Sequence, residues 1–444
     1  MTRGIVLLAL LLRLPFITES LWLDEAIEAI ALQDYYGPLL SYAVSDFQPP
    51  FYHFLLKAWT NLAGYSELAL RTPSLMAGAA LTYVSIKLGE LLHTRRTGLI
   101  LGLLVATNPL LIYYSQEGRT YILTTLLVTT SFYFLAHLLK NKHPSKRSLL
   151  YYLLSSAAAI WTSYLAWFVI LLQLMYLLYL RRFVLARLTL LSMLTITPWL
   201  PSFIRSLGLG LDDAAASPEW GKVVGGISIK ALTLTWVKAA IGRISFTPAW
   251  LYGGVILTVA AVHALILRGI RQINSLMYIW LGALLPAALI SFFVPAYSYT
   301  RVLFVVPAYL LLLALGGSRH KSNVGVTMII TAQLACLAIY WLSPRFHREN
   351  WRDLTAYVNA GDGAIAMPSR DQLPPLIYYG LARRVFEPGS EVLPQDKTIY
   401  YIRYAEDIFD PNKTGQANLG TAGYTIQKEV SFTGISLVIY ENRD

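Results

Sequence analysis

Apolar residues run along this chain in long, nearly uncharged stretches separated by short polar or basic segments, as far as residue 343. About eleven of them approach the roughly 18 to 22 residues that cross a hydrocarbon core of about 30 Å. They lie near residues 3–18, 68–90, 98–114, 120–139, 148–164, 165–180, 188–204, 248–267, 274–294, 300–317 and 323–343. Three stretches between or after them are long enough to build something: 19–67, 205–247 and 344–444. In the first, WLDEAIEAIALQDYY places Leu23, Ile27, Ile30 and Ala31 at helical spacing, with Asp24 and Glu28 on a neighbouring face. That pattern predicts a helix lying in the membrane interface rather than crossing it. Pro49-Pro50 halts the chain, and FYHFLLKAWTNLAGY then reads as a second amphipathic helix. In the second stretch IKALTLTWVKAAIGR reads as another short interfacial helix. After Leu342 the pattern changes: AIAM, IYYIRY, YTIQKEV and ISLVIY have strand character, and NWRDLTAYVNA and RDQLPPLIYYG have helical character. The expected fold class is an α-helical polytopic membrane protein, residues 1–343, with external interfacial helices and a small soluble α/β domain at 344–444.

Composition agrees with a membrane location. Of 444 residues 56% are hydrophobic and 14% charged, and a mean hydropathy of +0.51 means more apolar surface than one soluble core buries. The opening MTRGIVLLALLLRLPF carries no small-residue cleavage pattern and is expected to remain as the first span. A single cysteine, Cys336, excludes an intrachain disulfide and a thiolate metal site.

Charge then sets the expected orientation. With the N-terminus in the cytoplasm, Arg95, Arg96, Lys140, Lys142, Lys146, Arg147, Arg181, Arg182, Arg268 and Arg319 fall on the inner side, as the positive-inside rule requires. The net charge of +11 is therefore read as topology and contact with anionic membrane lipid, not as nucleic-acid binding. Every Asp and Glu before residue 344 except Glu90 falls on the opposite side. The chain is thus expected to be a multi-pass protein of the cell (plasma) membrane, with its functional loops and C-terminal domain on the non-cytoplasmic face.

The carboxylates are the obvious reactive groups. Before residue 344 His53 is the one histidine in the external loops, which makes a Ser-His-Asp or His-rich metal site a weak reading, and no Gly-rich phosphate loop or zinc spacing is visible. Asp24 and Glu25 open a helix, where the helix dipole favours an ionised carboxylate. Position alone leaves Asp24 open between a general base and a helix cap. Glu117 lies beside Arg119 in the short loop YYSQEGRTY. A secondary transporter or lipid flippase is a rival reading, but the acids avoid the spans and no internal repeat is visible.

LRLPFITESLWLDEA, QPPFYHFLLKAWTNLAGYSELALRTPS, NPLLIYYSQEGRTYIL and SYTRVLFVVPAYLLLLALG together resemble the GT-C membrane glycosyltransferases. The resemblance runs through about residues 5–125 and again near 295–317, and is nearest to the protein O-mannosyltransferases, aminoarabinose transferases and rhizobial core sugar transferases. It implies a hexosyl- or pentosyltransferase that takes its sugar from a polyprenyl- or dolichyl-phosphate donor and passes it, with inversion, to a hydroxyl of a lipid, glycan or protein. It carries a catalytic role onto Asp24 as base and onto Glu117 as second acid, with Glu25 a further catalytic candidate. Arg119 and Arg301 become candidates to neutralise the lipid phosphate, and Tyr121, Gln48 and His53, in the same strings, join them as substrate-binding candidates. Relatives often have His where Gln48 stands. The resemblance leaves open a divalent cation, Mg or Mn, and equally a polysaccharide ligase or polymerase that moves a whole glycan.

Overall fold

The computed structural model describes residues 1–33, 36–216, 226–268, 270, 273–319, 323–389, 391 and 393–442. Residues 217–225 of the second long loop lie outside the described residues. Each apolar run folds as helix, since a backbone in lipid must satisfy its own hydrogen bonds. Glu67–Leu92, Tyr121–Lys140, Phe183–Asp212, Ala249–Leu267 and Val324–Leu342 are long and apolar enough to cross a membrane. The remaining runs are shorter or broken. Arg95–Thr107 and Pro109–Ser115 meet at 60°, because Pro109 lacks an N–H and Asn108 caps the second piece through Leu111 N. Ser275–Gly282 and Leu284–Ile290 are likewise interrupted at Ala283.

At the centre, Glu67–Leu92 packs against Arg95–Thr107 and Tyr121–Lys140. Glycines permit the closest approach, since a Cβ on Gly89 would lie 2.8 Å from Gly98 Cα. Trp280 stacks on Phe132 at 4.4 Å and donates its indole N–H to Phe304 O at 2.8 Å, so this large buried side chain leaves no polar atom unpaired.

The two ends of the bundle differ as the charge pattern predicts. At one end the basic loops are tied together: Arg96 reaches Asn323, Lys140 reaches Leu91 O, and Tyr176 meets Ser275. At the other end lie the helices Leu23–Ala31, Tyr36–Ser45 and Phe51–Ala63. The first and third were expected; the middle one was not. The C-terminal residues sit on this same end. Tyr379 OH accepts from Leu21 N at 2.8 Å, Tyr378 OH donates to Tyr65 O at 2.6 Å, and Arg352 pairs with Glu67 at 2.6 Å.

The C-terminal region is a five-stranded sheet. Its strands are β1 (Ala364–Ala366), β2 (Val385–Phe386), β3 (Thr398–Arg403), β4 (Tyr424–Phe432) and β5 (Ile435–Asn442), in the order β2-β1-β3-β5-β4. β1 is parallel to β2 and β3, and the other pairings are antiparallel. Four of the five were expected from alternation; β2, at two residues, is too short to show a period. The helix Trp351–Asn359 buries Trp351, Leu354 and Val358 against Ile365 and Leu437, one apolar stripe at helical spacing. The β4–β5 turn, where Gly434 has φ 72°, lies against Glu349. It thereby fixes a residue that faces the charged end of the bundle.

Candidate active site

Two adjacent carboxylates open the helix Leu23–Ala31, and the helix turns them to different surroundings. The N-cap residue is Trp22 and makes no capping bond from its side chain, so Asp24 lies inside the first turn and not at the cap. Helical geometry puts Glu28 on the face of Asp24 and turns Glu25 away.

The Asp24 face is centred on Arg119, which is buried. Its Nη2 lies 2.7 Å from Asp46 Oδ1 and 4.0 Å from Asp24 Oδ2, and its Nη1 lies 3.5 Å from Glu28 Oε2 and 3.2 Å from Tyr42 OH. Tyr42 donates to Glu28 Oε2 at 3.1 Å. The Asp24 side chain is 35% exposed at the edge of this cluster. Burial of its carboxyl, opposed by Arg119 and reinforced by the charges of Asp46 and Glu349, pushes its pKa up to about 6. His53 is fully buried, with Nδ1 2.7 Å from Glu28 Oε1 and Nε2 3.6 Å from Asp46 Oδ2. Burial disfavours its charge, but the two carboxylates outweigh burial and raise its pKa.

The Glu25 face is closed. Glu25 is 2% exposed. Arg71 holds it with two hydrogen bonds, 2.8 Å to Oε1 and 2.5 Å to Oε2, and Gly118 N adds a third at 2.7 Å. Arg71 spends its other donors on the carbonyls of Ile17, Glu19 and Ser20. Burial alone would raise the Glu25 pKa, yet Arg71, Arg348 and Gly118 hold it below the usual value.

Glu117 is buried next to this face, with Oε2 3.7 Å from Arg348 Nη2. Burial dominates and pushes its pKa up to about 7, with Arg348 opposing. Arg348, from the segment after the last span, also lies 3.7 Å from Glu25 and Glu19 and stacks over Tyr113 at 4.6 Å. Glu349 beside it accepts from Tyr404 OH at 3.3 Å, and burial raises its pKa.

Arg301 donates to Pro295 O at 2.9 Å, and its charge acts on Asp24. With Gln48 it lines a cavity of about 330 Å³ whose other walls are mainly apolar, including Phe47, Tyr164, Trp167 and Phe203. Gln48 Oε1 is buried without a hydrogen-bond partner. The charges of Glu117, Asp24, Arg119 and Arg301 all act on Tyr121. All eight residues singled out in the sequence therefore lie in or beside one charged site at the end of the bundle.

Among solved structures the chain is similar to ArnT from Cupriavidus metallidurans, with 11% identity over 98% of this chain and 97% of that one, at a TM-score of 0.60. The chain shares its fold with that protein. That ArnT has also been solved with undecaprenyl phosphate bound. The same fold is found in the Archaeoglobus fulgidus oligosaccharyltransferase, at 12% identity and TM-score 0.55 over 100% of this chain and 74% of that one. It is shared too with the mycobacterial arabinofuranosyltransferase AftD, at 14% identity and TM-score 0.50 over 100% of this chain and 40% of that one. In sequence, residues 47–202 match the family described as dolichyl-phosphate-mannose-protein mannosyltransferase. No curated protein matches the chain in sequence.

Within this site, sequence reasoning missed Arg71, Arg348 and Glu349. Arg71 carried a signal, being a lone cation just inside a long apolar run. Arg348 and Glu349 carried none, because the contacts that bring them here are tertiary.

Proposed function

We propose that the chain is a membrane glycosyltransferase that moves a sugar from a polyprenyl- or dolichyl-phosphate donor to an acceptor hydroxyl on the non-cytoplasmic face. The observation that supports this most is the juxtaposition of an accessible carboxyl of raised pKa, Asp24, with an apolar cavity that has Arg301 in its wall. A base whose pKa lies near the working pH is well matched to deprotonating a hydroxyl as it attacks. The acceptor O–H proton passes to Asp24, the oxygen forms a bond to the anomeric carbon from the face opposite the phosphate, and the C–O bond to phosphate breaks. The lipid phosphate leaves with the electron pair, so the configuration inverts.

The leaving phosphate needs positive charge near the cavity. Arg301 and Arg119 supply it, the first at the cavity wall and the second within reach of Asp24. Glu25 acts as a positioning residue: with Arg71 and Gly118 it fastens the start of its helix to the loop that carries Glu117 and Arg119. The C-terminal domain supplies Arg348 and Glu349 to the site. Mass spectrometry of lipid co-purified with the protein tests the donor class. A polyprenyl- or dolichyl-phosphate sugar, or its spent lipid phosphate, is expected. Bulk phospholipid alone, with no transfer from any lipid-phosphate sugar, contradicts the reading.

A further inference from the structure

Arg13 stands inside the first apolar run of the chain and has no exposed surface. An ionisable side chain at such a position is costly and points to a function. Among the described residues no carboxylate pairs with it, and its guanidinium is spent on uncharged acceptors. Nη1 donates to Ala9 O at 2.8 Å and to Ala106 O at 3.1 Å, Nη2 donates to Val105 O at 3.2 Å, and Nε donates to Ser115 Oγ at 3.0 Å. Val105 and Ala106 lie in the last turn of the helix Arg95–Thr107, where carbonyls lack an intrahelical donor. Pro109, whose N–H would serve Val105 O in a continuous helix, has none to offer. Arg13 therefore replaces donors lost at the 60° break, and through Ser115 it grips the last residue of the second piece, Pro109–Ser115. Gln116 returns the grip, donating from Nε2 to Arg13 O at 3.2 Å and to Pro15 O. Gly78 makes room for the contact, since a Cβ there would collide with Ser115 Oγ and Arg13 Nε.

We propose that Arg13 is a positioning residue of the site: by fixing the angle of the bent helix pair, it fixes where Glu117, Gly118 and Arg119 stand. These residues begin directly after Gln116. Gly118 N meets Glu25 at 2.7 Å, and Arg119 meets Asp46 at 2.7 Å and Asp24 at 4.0 Å. A tilt of the short helix is thus passed on to both faces of the helix Leu23–Ala31. The restraint is firm, because each buried carbonyl left without a donor costs about 1–3 kcal/mol, and a planar guanidinium holds several at fixed angles where an ammonium does not. Arg119 lowers the pKa of Asp24 against burial. A looser bend lets Arg119 withdraw, and the Asp24 carboxyl then keeps its proton to higher pH. That such a shift slows turnover at neutral pH rests on the transferase reading; the placement of Arg119 by Arg13 does not.

The test is infrared difference spectroscopy on full-length protein in detergent, following with pH the protonated-carboxyl band that Asp24→Asn abolishes. In the parent its midpoint is expected at about 6. R13M should raise that midpoint by at least about half a pH unit, as part of the Arg119 attraction is lost. S115A and G78A disturb the same grip but leave Arg13 and its charge in place. A rise in them, smaller than in R13M, therefore reports geometry and not the direct field of Arg13. W280F removes the indole bond to Phe304 O; it should lower the thermal midpoint and leave the Asp24 titration unchanged, which separates positioning from stability alone. Elution as a single species and parental helix content by circular dichroism identify folded variants, and S115A, the mildest change, carries the test if R13M does not fold. A parental Asp24 midpoint in folded R13M, or in both S115A and G78A, overturns the proposal, as does an equal rise in W280F. Protein that shows the R13M and S115A shifts but transfers no sugar from any lipid-phosphate donor would instead overturn the transferase reading and leave this placement standing.

Discussion

Asp24 and Glu25 are neighbours in sequence, share one helix turn and have the same charge, yet the structure uses them in opposite ways. Glu25 has three hydrogen bonds, two of them from the bidentate guanidinium of Arg71, and its pKa falls. Asp24 has no hydrogen bond among the described residues; its nearest cation is 4.0 Å away, and its pKa rises to about 6. Burial acts on both. Partners decide the outcome: a carboxylate that is buried and fully bonded becomes a fixed part of the scaffold, whereas one that is desolvated and under-bonded retains affinity for a proton. The difference follows from the 100° step between successive helix positions, which sends one side chain to the Arg71 side and the other to the Arg119 side.

The comparison can be broken most sharply at the open carboxyl. Asp24→Asn keeps size and removes the base, so turnover should fall about 100- to 10,000-fold. The protein should still fold and bind lipid donor, as measured by native mass spectrometry. The reverse holds on the closed face. Arg71→Met leaves Glu25 buried without its cation, and should cost about 3–5 kcal/mol of stability, seen as a large drop in thermal midpoint. Adding Glu25→Gln to Arg71→Met should recover part of that loss, because the stranded charge is gone. Since the folded-state pKa of Glu25 is depressed, its contribution to stability is present at neutral pH and is lost as pH falls through that value.

A smaller effect is expected at the cavity. Arg301→Lys keeps the charge but loses the planar fork, so the Michaelis constant for lipid donor should rise several-fold, more than that for acceptor; an unchanged donor constant in both Arg301→Lys and Arg301→Ala removes this residue from the donor site. The smallest effect is at the surface pair that ties the C-terminal domain to the first loop. Arg352 is 47% exposed beside Glu67, and Arg352→Ala should cost no more than about 1 kcal/mol.

Much of this arrangement was legible in the sequence. Helical spacing after Trp22 places Asp24 and Glu28 on one face, and the basic loops predict which end of the bundle carries the acids. The lengths of the helices were less legible. A run of apolar residues does not reveal whether Pro109 or Ala283 will break it, and the break depends on what packs there. The closing partners of the site were hidden for a different reason. Arg348 and Glu349 follow the last span and look like ordinary polar residues after a helix; only the packing of the C-terminal sheet, with the β4–β5 turn against Glu349, delivers them to carboxylates far earlier in the chain. His53 was read as a substrate-binding candidate, and a histidine-based catalytic or metal site as a weak reading, because it is a lone histidine in the external loops. Its partners Glu28 and Asp46 are visible as acids in the sequence, but their convergence is not.

The central claim is that the under-bonded carboxyl of Asp24 is the proton acceptor, and the dependence of kcat/KM on pH tests it most directly. A base works when deprotonated, so a raised pKa moves its loss of activity upward from the ordinary aspartate range. The account predicts a plateau above about pH 6 to 7 and a tenfold fall per pH unit below about 6, with that acid limb absent from the residual activity of Asp24→Asn. An acid limb centred near pH 4, or one that persists unchanged in Asp24→Asn, would contradict it.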